Sequence, residues 1–383
     1  MHSDMKFLVD LVIILIAAGA GTLICRRYGQ PRILGQILAG VLVGPSIFGL
    51  VSHSSFISNL AEIGVILLMF LAGLETDYNE LKESFEKSSS IAVGGIIAPF
   101  ALGMLGIYLI KDNVEISEAI FVGVILTATS MGITVQTLTE MGKLKTKQGV
   151  SILGAAIIDD IVGIIILTIV LGVFGKGHTS VTMLILKILA FFLILSIVGG
   201  MLSKFILKNR KIIRKIKPIY LLSVSLILAL LFASFASEFG MAAIIGSYFI
   251  GVVISTTQLK GRITKEVSRF GYGFFIPIFF VNIGLGVQLQ KVFGNLGIAI
   301  TIAAIGIISK ILGSGIGAKL SGFTKKESLQ IGISMVPRAE VALIVANLGM
   351  KTEFIKDDIF TSIILLVILS TILTPIMLKK AYD

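Results

Sequence analysis

Apolar stretches of about 18 residues or more, the length that crosses the hydrocarbon of a bilayer, recur along the whole chain. Thirteen can be drawn: 6–24, 32–50, 56–74, 89–110, 116–139, 148–172, 181–206, 218–236, 240–257, 268–289, 294–318, 326–349 and 357–378. A segment in hydrocarbon has to satisfy its own backbone, so each is read as a helix and the chain as an all-α, polytopic membrane protein. Of its 383 residues 55% are apolar and 14% charged, where soluble domains carry roughly a quarter of charged residues. The first stretch is long and is followed by "CRRYGQPR", a poor cleavage site, so it is taken as a span and not as a signal peptide. The single cysteine, Cys25, excludes an internal disulfide and a cysteine metal cluster.

Basic residues orient the spans. Of the 33 Lys and Arg, 24 fall on the side reached after the first span, including Arg26, Arg27 and Arg32, the seven of "KFILKNRKIIRKIKP", and Lys379 and Lys380. The other side holds six (Lys6, Lys111, Lys176, Lys291, Lys351, Lys356), and Lys187, Lys310 and Arg338 stay inside spans. The crowded side is therefore expected to be cytoplasmic, with the N-terminus outside and the C-terminus inside. The net charge of +11 then calls for an anionic lipid leaflet and for no nucleic-acid partner.

Sliding the sequence against itself by 211 residues brings out a repeat. Gly35 meets Gly246, Gly40 meets Gly251, Val41 meets Val252, Gly73-Leu74 meets Gly284-Leu285 and Ser151-Ile152 meets Ser362-Ile363, without a gap. That offset covers seven spans, an odd number, so spans 1–6 and 8–13 are expected to be inverted copies joined by a linker span at 181–206. Inverted repeats are an architecture of secondary transporters, whose substrate site lies near the midplane and uses interrupted helices. The same offset aligns span 5, "ILTATSMGITVQTLTEMG" with Thr127, Thr129, Ser130 and Gly132, with span 12, "ISMVPRAEVALIVANLG" with Pro337, Arg338 and Glu340. Proline removes a donor and disfavours helix before it, and broken backbone at that depth survives only when buried in protein or lining a cavity.

Two adjacent acids, Asp159 and Asp160, sit near the centre of span 6 in "GAAIIDDIVGIIIL". Charge at mid-bilayer costs several kcal/mol and marks function by default. Close carboxylates resist joint ionisation, and a group so tuned can exchange a proton for a hard cation held by oxygen ligands. Lys310 in span 11 is too costly to bury without an acid partner, for which one of the two aspartates is the obvious choice. The counterparts of the acids in the second repeat are Ser370 and Thr371, so one site per protomer is expected. The three His (His2, His53, His178) lie at the terminus or in loops and there is no phosphate-cradling glycine loop. The chain also ends a few residues beyond the last span. No enzyme activity and no cofactor are therefore expected, and gradients rather than ATP should drive transport.

The acid pair, preceded by "TATSMGITVQTLTEMG" and joined by Lys310, resembles the bacterial NapA-type sodium/proton antiporters of the monovalent cation:proton antiporter-2 family. The resemblance runs over essentially the whole chain, including "GQILAGVLVGPSIFG" and "LLMFLAGLETD". It implies that Asp160 binds the cation and the proton, that Asp159 pairs with Lys310, and that Thr129 and Ser130 help coordinate the ion where two discontinuous helices cross. Arg338 and Glu340 would balance the half-helix ends of span 12. The family's homodimer implies a dimer subdomain within 6–50 and 218–257, and a core subdomain within 56–172 and 268–378 that moves like an elevator. The whole of 1–383 is then one transporter unit exchanging Na⁺ or Li⁺ for protons, electrogenically, in a bacterial or archaeal plasma membrane. Potassium relatives carry Gln before Asp and a nucleotide-binding domain, which ranks Na⁺ above K⁺; an ion-coupled symporter of an organic anion and a non-transporting membrane sensor or receptor are the other rivals. Glu75 and Asn282, near the ends of spans 3 and 10, are further polar candidates.

Overall fold

The computed structural model describes residues 6–52, 54–111, 114–174, 180–209, 216–287 and 296–382. His2, His53, His178, Lys176 and Lys291 lie outside the described residues, as do Arg210, Lys211, Arg214 and Lys215 of the basic run and the side chain of Glu340. Among the described residues every regular element is a helix: α1 (Lys6–Arg27), α2 (Arg32–Val43), α3 (Ser55–Glu75), α4 (Tyr78–Glu83), α5 (Phe85–Ile110), α6 (Ile116–Thr127), α7 (Met131–Glu140), α8 (Lys147–Phe174) and α9 (Val181–Lys208). There follow α10 (Pro218–Glu238), α11 (Ala243–Ser255), α12 (Lys260–Phe270), a π-helical turn (Gly271–Phe275), α13 (Ile276–Leu285), α14 (Leu296–Leu320), α15 (Lys325–Ser334), α16 (Glu340–Lys351) and α17 (Asp357–Tyr382). Ten helical stretches among the described residues are long and apolar enough to cross a membrane, with α6–α7 and α12–α13 each counting as one. The other three expected spans are the shorter apolar helices α2, α11 and α16.

Two boundaries differ from the sequence reading for local reasons. The span drawn over 32–50 is helical only to Val43, because Gly44 turns extended and Pro45 brings no amide to the helix. The chain then closes on itself, with the Val51 amide donating to the Val43 carbonyl at 3.0 Å and Gly49 at a φ of 61°. Twelve helical residues rise only about 18 Å, short of the ~30 Å of a hydrocarbon core. Conversely, the basic segment from Lys260 to Arg269, expected as a loop, is the helix α12, which buries Ile263 and Val267. It runs through the π turn into α13 without a break.

Packing sorts the long helices into two groups. In the first, α5, α6, α8, α14, α15 and α17 pack chiefly on one another, most extensively α5 along α14. In the second, α1 lies on α2, α10 on α11, α3 along α11 and α13 along α2. The main neighbours of α3 and α13 are thus α11 and α2, whereas the expected subdomains set 56–74 and 268–289 with the core. Glycine contacts explain this. A Cβ on Gly73 of α3 would collide with the Tyr248 carbonyl oxygen of α11, and one on Gly284 of α13 with the Ile37 carbonyl oxygen of α2. Backbones that approach so closely pack best with small residues at the seam. The linker α9 touches both α8 and α11.

The same glycines carry the internal repeat. A Cβ on Gly40 would meet the carbonyl of Val281, and one on Gly251 the carbonyl of Phe70. Gly35 stands in the same relation to Gly21 as Gly246 to Phe232. In every pair the glycines and their partners are both displaced by 211 residues. The contacts of one half therefore recur in the other with the halves exchanged, as an inverted repeat requires.

These contacts leave no room for side chains. Gly246→Leu is expected to destabilise the protein by about 1–3 kcal/mol, the usual range for overpacking, and to lower its thermal unfolding temperature in detergent. Gly200→Leu, where a Cβ meets nothing within 4 Å, should leave that temperature unchanged.

Candidate functional site

The two interrupted spans break differently. In span 12 the sequence Met335-Val336-Pro337-Arg338-Ala339 leaves the helix between α15 and α16, with proline at its centre. Span 5 has no proline. Its break, Ala128-Thr129-Ser130, is extended backbone at a cluster of hydroxyls, and such side chains compete with the helix for backbone groups. The breaks bind each other. The Ser130 amide donates to the Pro337 carbonyl at 2.8 Å, and the Thr134 hydroxyl to the Ser334 carbonyl at 2.6 Å.

Breaking a helix leaves carbonyls without donors and a partial negative charge at its C-terminal end. Two buried cations answer both. Lys310 Nζ donates to the Thr127 carbonyl, the last of α6, at 2.8 Å. Arg338 Nη2 donates to the Leu126 carbonyl at 2.7 Å, and its Nη1 to the Met335 and Val336 carbonyls at 3.2 and 3.1 Å, just past the end of α15. Both side chains have 0% exposure. Ser370 and Thr371, the counterparts of the acid pair, hold Arg338 by its backbone. Ser370 Oγ accepts from the Arg338 amide at 3.1 Å, and Thr371 Oγ1 donates to its carbonyl at 2.8 Å.

The first acid of α8 joins this centre. Asp159 Oδ2 accepts from Lys310 Nζ at 2.8 Å and from Thr129 Oγ1 at 2.5 Å. Removing either member of so buried a pair would strand the other charge away from water. Asp159 Oδ1 and Ser130 Oγ are buried and have no hydrogen-bond partner among the described residues. Asp160 is buried too, at 9% exposure. Asp159, Thr129, Lys310 and the backbone of Ser130 are thus brought together, and Arg338 sits on the adjoining helix end. For Glu340 only the backbone is described, as the first residue of α16.

Oxygen atoms of this kind suit a hard monovalent cation. Among the described residues no three His, Cys, Asp or Glu side chains gather in one place. Of the further candidates, Glu75 lies 4.0 Å from Lys145 at the basic end of α3, and Asn282 lines a cavity on the other side of the crossing.

Residues 12–381 match the model of the family "Sodium/hydrogen exchanger, transmembrane". The chain belongs to this family. Among similar proteins is the Na(+)/H(+)-K(+) antiporter GerN of Bacillus cereus, 36% identical over 99% of this chain and 97% of its own length. The probable Na(+)/H(+) antiporter GerT of the same organism is 39% identical over 99% of this chain and 100% of its own. The solved sodium proton antiporter MjNhaP1 of Methanocaldococcus jannaschii covers 100% of this chain and 96% of its own with a TM-score of 0.76. At 17% identity it supports the fold alone.

In this exchanger the crossing lies between two cavities. One of about 120 Å³ is lined by Phe279, Asn282, Ala339, Leu343 and Ile368. Another, of about 330 Å³, opens on the basic side among Thr22, Gln36, Gln136, Glu140 and Tyr272. A Cβ on Gly132 of α7 would stand 3.1 Å from the ring of Phe279 of α13, a residue that lines the smaller cavity. Sequence reasoning passed over Gln136 and Glu140. Their spacing from Gly132, one and two turns along α7, puts the three on one face and was the available signal.

The ion pair can be measured directly. Lys310→Met alone is expected to lower stability by roughly 3–5 kcal/mol, because Asp159 is left buried and unpaired. The double variant with Asp159→Asn should recover most of that loss in thermal unfolding, giving a clear coupling energy in the double-mutant cycle.

Proposed function

We propose that the protein exchanges Na⁺, with Li⁺ accepted in its place, for protons, and that the two ions take turns at Asp160 beside the Asp159–Lys310 pair. The observation that carries this reading is the ion pair itself, fully buried and bonded to the broken end of α6. Lys310 holds Asp159 through one carboxylate oxygen, and the other, like Ser130 Oγ, is buried without a partner among the described residues. A cation arriving at Asp160 would draw on those oxygens. A proton arriving there cancels the charge that attracts the cation, so the two compete. Electrogenic exchange of two protons for one Na⁺ follows if the Asp159–Lys310 pair takes up the second proton as the cation leaves.

In this reading the group built on α5, α8, α14 and α17 moves against the group of α1, α2, α3, α10, α11 and α13, carrying the site from one face to the other. The second group would pair two protomers as a homodimer. The basic side faces the cytoplasm of a bacterial or archaeal cell, with the N-terminus outside. Exchange of K⁺ is the second reading, favoured by the similarity to GerN, whose name includes K⁺. Symport of an organic anion is disfavoured by Arg338, whose guanidinium is sealed from solvent and bonded to three carbonyls.

The test is flux in proteoliposomes with a proton-sensitive dye. Na⁺ or Li⁺ should dissipate an imposed proton gradient, Asp160→Asn should abolish the response, and a voltage imposed with valinomycin should change its rate. No response to Na⁺, Li⁺ or K⁺ anywhere from about pH 6 to 9, around the range where a shifted carboxylate titrates, would end the proposal.

A further inference from the structure

The side chain of Glu140 is placed against its own helix's interest. As the last residue of α7 it sets a carboxylate at the negative end of the helix dipole. Its compensation comes from α2 of the second packing group, while α7 itself continues α6 of the first across the break at Ala128-Thr129-Ser130. Glu140 Oε2 accepts from the amide of Arg32, the first residue of α2, at 2.6 Å. That helix follows Pro31 and has no side-chain cap of its own, so Glu140 does in trans what a cap residue ordinarily does in cis.

The contact continues inward. Gln136 Nε2 donates to Glu140 Oε1 at 2.8 Å, and the Tyr272 hydroxyl donates to Gln136 Oε1 at 3.0 Å. Tyr272 lies in the π turn before α13, and such turns are frequent at functional sites. One polar chain therefore ties α7, which carries the crossing, to α2 and to the π turn of the opposite group.

Two cavities meet at this chain. An outer one of about 450 Å³ on the basic side is lined by Arg26, Lys143, Lys379 and Tyr382. The deeper one of about 330 Å³ reaches Gln36, Gln136 and Pro277. Among the described residues, the only two that line both are Arg32 and Glu140. Beyond the deeper cavity, one turn further along α7, lie Gly132 and the Phe279 ring.

We infer that Glu140 and the amino end of α2 form a gate that divides the passage between the basic side and the crossing. Movement of the transport group parts the carboxylate from the Arg32 amide, joins the two cavities and opens the deeper one to water. This rests on the alternating-access reading above, and supplies it with a contact that is made in one state and lost in the other.

The experiment uses the full chain in proteoliposomes. Cys25 is the only native cysteine, so a C25S background accepts single reporters: Gln36→Cys in the deeper cavity, and Asn282→Cys in the cavity on the opposite side. A membrane-impermeant cationic thiol reagent is applied from the side each reporter faces. Glu140→Ala is expected to speed labelling of the reporter at position 36 about tenfold, the order of change that loss of one charge-assisted hydrogen bond brings. It should slow labelling at position 282. Glu140→Gln, which keeps an acceptor, should fall between, and it serves as the test variant if Glu140→Ala fails to fold. Unchanged labelling at position 36, or a rise at both positions, overturns the gate, since general loosening would raise both. If position 36 responds as expected while Na⁺-driven proton flux is absent from the unsubstituted protein, the gate stands and the transport reading falls.

Discussion

A helix broken inside a bilayer leaves its last carbonyls facing a medium that offers no donor. In this exchanger Lys310 and Arg338 are the donors at both breaks, and both are wholly buried. Their presence creates the next demand, because a buried cation needs an anion or a set of carbonyls. Arg338 takes carbonyls of α6 and of its own break through its two terminal nitrogens, while its Nε has no partner among the described residues. Lys310 has one carbonyl and therefore also takes Asp159. The breaks, the cations and the acid form one chain of necessity, and the site is where that chain ends with oxygen atoms still available.

The symmetry of the fold makes its asymmetry informative. Glycine seams related by 211 residues build two similar halves, but the acid pair exists in one half only. At the corresponding place in the other half Ser370 and Thr371 hold the backbone of Arg338. Hydroxyls suffice there because Arg338 already has its carbonyls. Lys310, for its part, has no basic counterpart: Pro99 stands 211 residues before it. The pseudo-twofold relation thus supplies the crossed geometry twice and the acid pair once.

Much of this was legible in the chain. Membrane spans follow from apolar length, the repeat from a shared offset of weak matches, and the Lys310–Asp159 pair from the cost of a lone buried ammonium, with the choice of Asp159 resting on family resemblance. What was not legible depends on the geometry of other elements. The end of α2 at Val43 hangs on one Gly-Pro step inside a run whose composition still reads as membrane. The helix α12 is too basic to register as a span and shows only as an extension of α13. The attachment of α3 and α13 to α11 and α2 follows from which glycines face which carbonyls, and a sequence offset aligns such positions without saying what they touch.

The two ends of the contact between the packing groups are built from different materials, which bears on how they could part. On the side of the sparse loops, Val41 and Val287 meet Ile364 and Ile368 in a small apolar cluster. On the basic side the contacts are the Arg32 amide with Glu140, Tyr272 with Gln136, Lys379 with the Gly29 carbonyl, and Lys145 near Glu75. Apolar contact is non-directional and tolerates sliding, since its strength follows the area removed from water. Hydrogen bonds at 2.6 to 3.0 Å are lost within a small displacement, and their groups are then taken up by water on that side at little net cost. A joint with a slippery seam at one end and discrete polar contacts at the other can shift between a few defined positions, and those polar contacts stand where water is able to replace them.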